Sequence, residues 1–148
     1  MLDGAFGVLA TKLPRRRSAR ISGKTSSIVH SNNRCIAVHG SNHKMIRGIF
    51  AFDTVGHRHF LEDGIESGNT FEHNIGFLTR SASAHDEILP SDLKPATFWI
   101  TNPNNVVRAN IAAGSDGMGF WYNLSTASDD QFGNQDLRAF ERYATEIF

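Results

Sequence analysis

At 148 residues, with 40% hydrophobic and 20% charged side chains, the chain has the size and composition of one soluble globular domain. Fifteen basic residues balance fifteen acidic ones, so nothing in the net charge recruits nucleic acid, an anionic membrane or an anionic polysaccharide. A single cysteine, Cys35, excludes an internal disulfide framework and a cysteine-rich zinc site, and no apolar run approaches the roughly 20 residues of a membrane span.

Residues 1–24 place their arginines (Arg15, Arg16, Arg17, Arg20) after a short apolar part broken by Gly4 and Gly7, the reverse of a secretory signal. They are expected to form a disordered leader, so an extracellular role would need an export signal outside this sequence. From Ile28 to Phe77 the apolar residues are short, β-branched or aromatic, interrupted every few positions by Gly, Asn, Ser or His, and no helical period is sustained.

The segment Ile46–Phe52 (IRGIFAF) can be laid on Phe71–Phe77 (FEHNIGF) with an offset of 25, and on Val107–Ala113 (VRANIAA) with an offset of 61. In each copy the odd positions are mostly apolar or small, a period of two that predicts one inward and one outward face along all seven residues. The longer offset also aligns Phe60 with Trp121. Strand-plus-turn repetition at this spacing predicts coils of residues 25–123 stacked as a parallel β-solenoid, with an outward ladder Arg47, Glu72, Arg108 of alternating sign. Asn32, Asn33, Asn42, Asn69, Asn74, Asn104, Asn105 and Asn110 suit its turns, where Asn tolerates left-handed backbone and can hydrogen-bond between coils. An antiparallel sandwich with chance similarity between short strands is the competing reading. In the tail, 124–148, Leu137, Phe140, Ala144 and Ile147 recur at helical spacing behind a possible N-cap at Asn134, predicting a short helix that caps the last coil.

The runs SIVHSNNRCIAVHGSN (27–42), DTVGHRHFLEDGIESGNTFEHNIGFLTR (53–80), TFWITNPNN (97–105) and AAGSDGMGFWY (112–122) resemble the right-handed parallel β-helix region of the cell-surface hyaluronidase family. That group includes the cell-migration-inducing hyaluronan-binding protein and, more distantly, fibrocystin-L. The resemblance implies a β-helix, an extracellular or cell-surface setting, and a role in binding or cleaving hyaluronan or a related glycan. Family members continue for many coils on both sides, so the chain is expected to be a fragment of that architecture. The stretch SASAHDEILPSDLKPA (81–96) departs from the longer, cysteine-bearing loop of the animal hyaluronidases, and is not expected to make the same contacts.

Titratable side chains concentrate between Asp53 and Asn74. A glycosidase needs one carboxyl group as acid and a second as base or nucleophile; a lyase acting on a uronic acid needs a base and a cation beside the sugar carboxylate. His57, Glu62, Asp63 and Glu66 are the candidate catalytic residues. Glu62 and Asp63 are adjacent, so on an extended strand they would face opposite ways; Glu62 with Glu66, or Asp63 with Asp116 of another coil, are the pairs that could work. Arg58, His59, Asn102, Asn105, Asp116 and Trp121 are the candidate substrate contacts. Each also suits a structural role, with the carboxylates bonding turn amides and His57 satisfying a stacked ladder. His30, His39, His57 and His73 match no compact zinc spacing. No cofactor is expected, although Asp53, Glu62, Asp63 and Asp116 could supply oxygen ligands to calcium. The expected partner is a polysaccharide, acted on by a hydrolase or lyase; the alternatives are a noncatalytic module that binds glycan or a protein, or an inactive fragment of a larger protein.

Overall fold

The computed structural model describes residues 8–10 and 26–124. Its strands are β1 (Val8–Ala10), β2 (Ser26–Ser31), β3 (Ile36–Val38), β4 (Met45–Arg47), β5 (Ile49–Val55), β6 (His59–Leu61), β7 (Thr70–Glu72), β8 (Ile75–Arg80), β9 (Ala96–Ile100), β10 (Val106–Arg108), β11 (Ile111–Ser115) and β12 (Met118–Tyr122). They form three sheets, ordered β1-β3-β6-β9-β12 (sheet A), β2-β5-β8-β11 (sheet B) and β4-β7-β10 (sheet C), and every pairing is parallel. The chain runs from sheet C to sheet B to sheet A and round again, so each circuit lies on the one before it. This is a parallel β-helix; the only helical element among the described residues is a 3-10 turn at Pro90–Leu93. The expected capping helix lies outside the described residues. Val8–Ala10, within the stretch expected to be a leader, forms the outer strand of sheet A against β3.

The rungs follow the offsets seen in the sequence. Ile46 pairs with Phe71 and Phe71 with Val107, while Phe60 pairs with Trp99 and Trp99 with Trp121. Outside sheet C the charge ladder forms as expected: Glu72 takes Arg47 at 3.4 Å on one side and Arg108 at 2.5 Å on the other. Inside lie Cys35, Ile36, Val38, Ile46, Ala51, Leu61, Phe71, Phe98 and Ile100, one continuous apolar column.

The expected alternation fails halfway along each repeat. Gly48, His73 and Ala109 sit between the sheet C and sheet B strands with φ of 68°, 54° and 51°. A left-handed residue turns the chain and resets which side chains face inward. Phe50, Ile75 and Phe77 are therefore exposed, whereas Ala51 and Asn74, on the opposite parity, are fully buried. Asn74 then works from within: its Oδ1 accepts from the Ile49 N–H and its Nδ2 donates to the Ile46 carbonyl, each at 3.0 Å. Asn110 repeats the arrangement one coil on, donating to the Phe71 carbonyl at 2.8 Å and accepting from the Asn74 N–H at 3.0 Å. These amides satisfy backbone groups that the corner leaves without a strand partner.

Candidate functional site

Between β8 and β9 the chain leaves the coil and returns across the outer face of sheet A. Asp92, fully buried, holds this excursion in place. Its carboxylate accepts from Arg34 Nη1 at 2.5 Å and from the N–H groups of Leu89, Ile88 and His57 at 2.9, 3.2 and 3.3 Å. Burial alone would raise its pKa, but the bonds from Arg34 and the backbone outweigh burial and hold it below the ordinary carboxylate value. Arg34 also lies over the Phe60 ring, 4.2 Å from its centre. Beneath the excursion, Phe60, Trp99 and Trp121 make an aromatic ladder on the outer face of sheet A, with Trp99 and Trp121 centroids 4.9 Å apart.

Where the excursion meets the turn after β6, a cleft of about 370 Å³ opens. Its floor is Phe60 and Trp99; Glu62, Asp63, Gly64, Thr101 and Asn123 form one side, and Leu89, Pro90 and Ser91 the other. The two carboxylates share this cleft because β6 ends at Leu61. Glu62 and Asp63 are therefore not on extended strand, and both turn toward one nitrogen: His39 Nδ1 is 3.3 Å from Glu62 Oε2 and 2.8 Å from Asp63 Oδ2. The condition for neighbours to face apart, an extended strand, is not met at this turn. Glu66 lies behind them, fully buried, its Oε1 accepting from the Gly40 N–H at 2.9 Å and its Oε2 from the Asp63 N–H at 3.2 Å. Burial pushes its carboxyl above the ordinary value, against the lowering effect of those backbone bonds.

The other expected site residues lie apart from this group. His57 is buried under the excursion, its Nδ1 accepting from the Ala96 N–H at 2.9 Å. The proton is consequently on Nε2, which donates to Ser91 Oγ at 3.0 Å. Burial pushes its pKa down to about 4, the Arg34 charge adding to the effect and Asp92 opposing it. Arg58 points inside the coil, where it donates to the Ala51, Phe77 and Leu78 carbonyls and to Thr79 Oγ1. His59 is enclosed as well, stacked 4.4 Å from Phe98 with its Nδ1 donating to the Thr97 carbonyl at 3.3 Å. Neither can touch a ligand lying outside the coil.

Asn102 donates to the Gly64 carbonyl at 2.9 Å and Asn105 to the Glu66 carbonyl at 2.7 Å, so both brace the turn that carries the carboxylates. Asp116 accepts from the Ser81 N–H at 2.9 Å at the root of the excursion. It precedes its sheet A strand while Asp63 follows one, so the length of a strand separates that expected pair. Asp53 is likewise elsewhere, between His30 and Arg80 at 2.8 and 2.6 Å. The site thus gathers Glu62, Asp63 and Glu66, with Trp121 at the end of the aromatic ladder. It adds His39, Thr101 and Asn123, which their sequence positions alone did not connect to it.

The fold and cleft define a parallel β-helix with a groove across one sheet. The CEMIP beta-helix family model matches residues 12–147, and the chain belongs to that family. It is 40% identical over 121 residues to human cell surface hyaluronidase CEMIP2, covering 65% of this chain and 8% of that protein. It is 38% identical over 106 residues to mouse fibrocystin-L (72% of this chain, 2% of that protein). To the mouse cell migration-inducing and hyaluronan-binding protein it is 38% identical over 121 residues, 65% of this chain and 9% of that protein. The chain thus spans less than a tenth of the length of each of these relatives. Among the described residues no helix is long and apolar enough to cross a membrane.

Proposed function

We propose that this β-helix binds hyaluronan or a related uronate-containing glycan in an extracellular or cell-surface setting, laid across sheet A, and that Glu62 and Asp63 take part in cleaving it. The observation that carries this reading is the cleft itself, in which two carboxylates stand beside the aromatic floor of Phe60 and Trp99. Aromatic edges and faces suit the apolar faces of sugar rings, and two carboxyl groups on one wall suit acid and base roles at a glycosidic bond. Glu62, half-exposed, is the carboxyl group more open to substrate, and Asp63 stands beside it, 2.8 Å from His39 Nδ1.

The test is incubation of the purified chain with hyaluronan, measuring retention on immobilised glycan and release of new reducing ends or unsaturated uronate. Glu62→Gln should abolish release while leaving retention. A noncatalytic module is the second reading, favoured by the enclosure of Glu66 and His57. It prevails if the chain retains hyaluronan without releasing product. Absence of both retention and release removes the glycan reading for this chain.

A further inference from the structure

We propose that His39, Asp63 and Glu66 form a binding site for a divalent ion of the first transition row, such as zinc or manganese, at the edge of the sheet A cleft. One ligand atom from each of the three residues lies within 4.8 Å of the others. Donors around such an ion, at bond lengths of about 2.0–2.2 Å, stand roughly 3–4 Å apart, so small side-chain adjustments complete the set.

Two further observations point to a cation. His39 Nδ1 is enclosed and makes no hydrogen bond, although carboxylate oxygens lie 2.8 and 3.3 Å away. The contacts are ion-pair approaches without hydrogen-bond geometry, so the nitrogen has no directed partner at the point where the carboxylate oxygens converge, and an ion between them would supply one. Second, no lysine or arginine among the described residues pairs with Glu62, Asp63 or Glu66, and Glu66 is fully buried. A buried carboxylate beside two others is costly unless a positive charge compensates it.

The donor set also chooses the class of ion. Calcium takes six to eight oxygen ligands, whereas an imidazole with two carboxylates suits zinc or manganese. The scaffold is built for it: His39 and Asp63 occupy the same turn of successive coils, and Glu66 is oriented by the Gly40 and Asp63 N–H groups while keeping oxygen lone pairs for a metal. An ion here would offset the acidic wall that otherwise repels a polyanionic glycan. That role rests on the glycan reading above; the binding of the ion does not.

The test uses the full chain, stripped with chelator and titrated with Zn²⁺ and separately with Ca²⁺ by calorimetry, without glycan. One zinc per chain is expected, bound at least tenfold more tightly than calcium. His39→Ala, at a half-exposed position that leaves the fold intact by circular dichroism, should weaken zinc at least tenfold, as should Asp63→Asn. His30→Ala, at the remote Asp53 pair, should leave it unchanged. The proposal is overturned if no stoichiometric zinc binds, if His39→Ala binds zinc as the parent does, or if calcium binds as tightly as zinc. Zinc binding by a chain that does not retain hyaluronan would remove the glycan reading and leave the ion site standing.

Discussion

Arg34 donates to Asp92 at 2.5 Å across 58 residues of chain, and that contact ties the excursion between β8 and β9 to the outer face of sheet A. The pair sits where it determines whether the cleft has a second wall. Asp92→Ala would leave an arginine and three backbone N–H groups without their acceptor. Removing one partner of a buried ion pair costs about 3–5 kcal/mol, so urea unfolding should show a loss of that order. A loss below about 1 kcal/mol would mean that the excursion is held by other contacts.

Asn74 is the interior test. Replacing it with Leu keeps volume but strands the Ile49 N–H and the Ile46 carbonyl inside the coil. At about 1–3 kcal/mol for each unsatisfied group, the variant should lose at least about 2 kcal/mol by chemical denaturation. Asn42→Ala, on the exposed turn where Asn42 accepts from the Ser67 N–H, should lose about 0.5 kcal/mol or less. Equal losses at the two positions would contradict an interior role.

Gly76 tests how tightly the buried arginine is packed. A Cβ there would stand 2.2 Å from Thr97 Cγ2 and 3.0 Å from Arg58 Cδ, both inside the coil. Gly76→Ala should destabilise by about 1–3 kcal/mol through overpacking, seen as a lower melting temperature. An unchanged melting temperature would show that Thr97 and Arg58 can both move aside.

Stability should fall in mild acid. Burial holds His57 at about 4 and His59 at about 3, with the charges of Arg34 and Arg58 respectively adding to the depression, while an unfolded histidine titrates near 6.5. Between about pH 6.5 and 4 the unfolded chain binds more protons than the folded one, so stability is full above this window and lost as the pH falls through it. His59→Phe keeps the stacking on Phe98 and removes one of the two groups, and should flatten the dependence of the urea midpoint on pH. A parent midpoint that stays constant from about pH 7 to 4.5, or a slope unchanged in the variant, contradicts the assignment.

The rungs were legible because a solenoid repeats its chemistry at each coil. Ile46, Phe71 and Val107 share a residue class, and Arg47, Glu72 and Arg108 alternate in sign, so their offsets could be read without coordinates. The facing of Phe50, Phe77 and Asn74 was not legible, because period two holds only while the backbone stays extended and His73 is a left-handed corner that no side-chain pattern announces. The carboxylates were found and their geometry was not: whether Glu62 and Asp63 point together depends on the strand stopping at Leu61. Arg58 and His59 had the chemistry of a binding site, but their position in the coil turned them to the interior.

The sequence by itself determined the stacking of parallel coils, the family, and the segment in which carboxylates concentrate. These depend on repetition and composition, which are local and additive along the chain. Only the tertiary structure decided which of those groups meet. His39 reaches Asp63 and Glu66 because one circuit of the coil brings residues more than twenty positions apart into adjacent turns. Asp92 shapes the cleft because Arg34, a half-buried arginine on an earlier coil, holds the excursion down. Contacts of that kind are set by register and by the hand of single corner residues, and they assemble only when the coils are stacked.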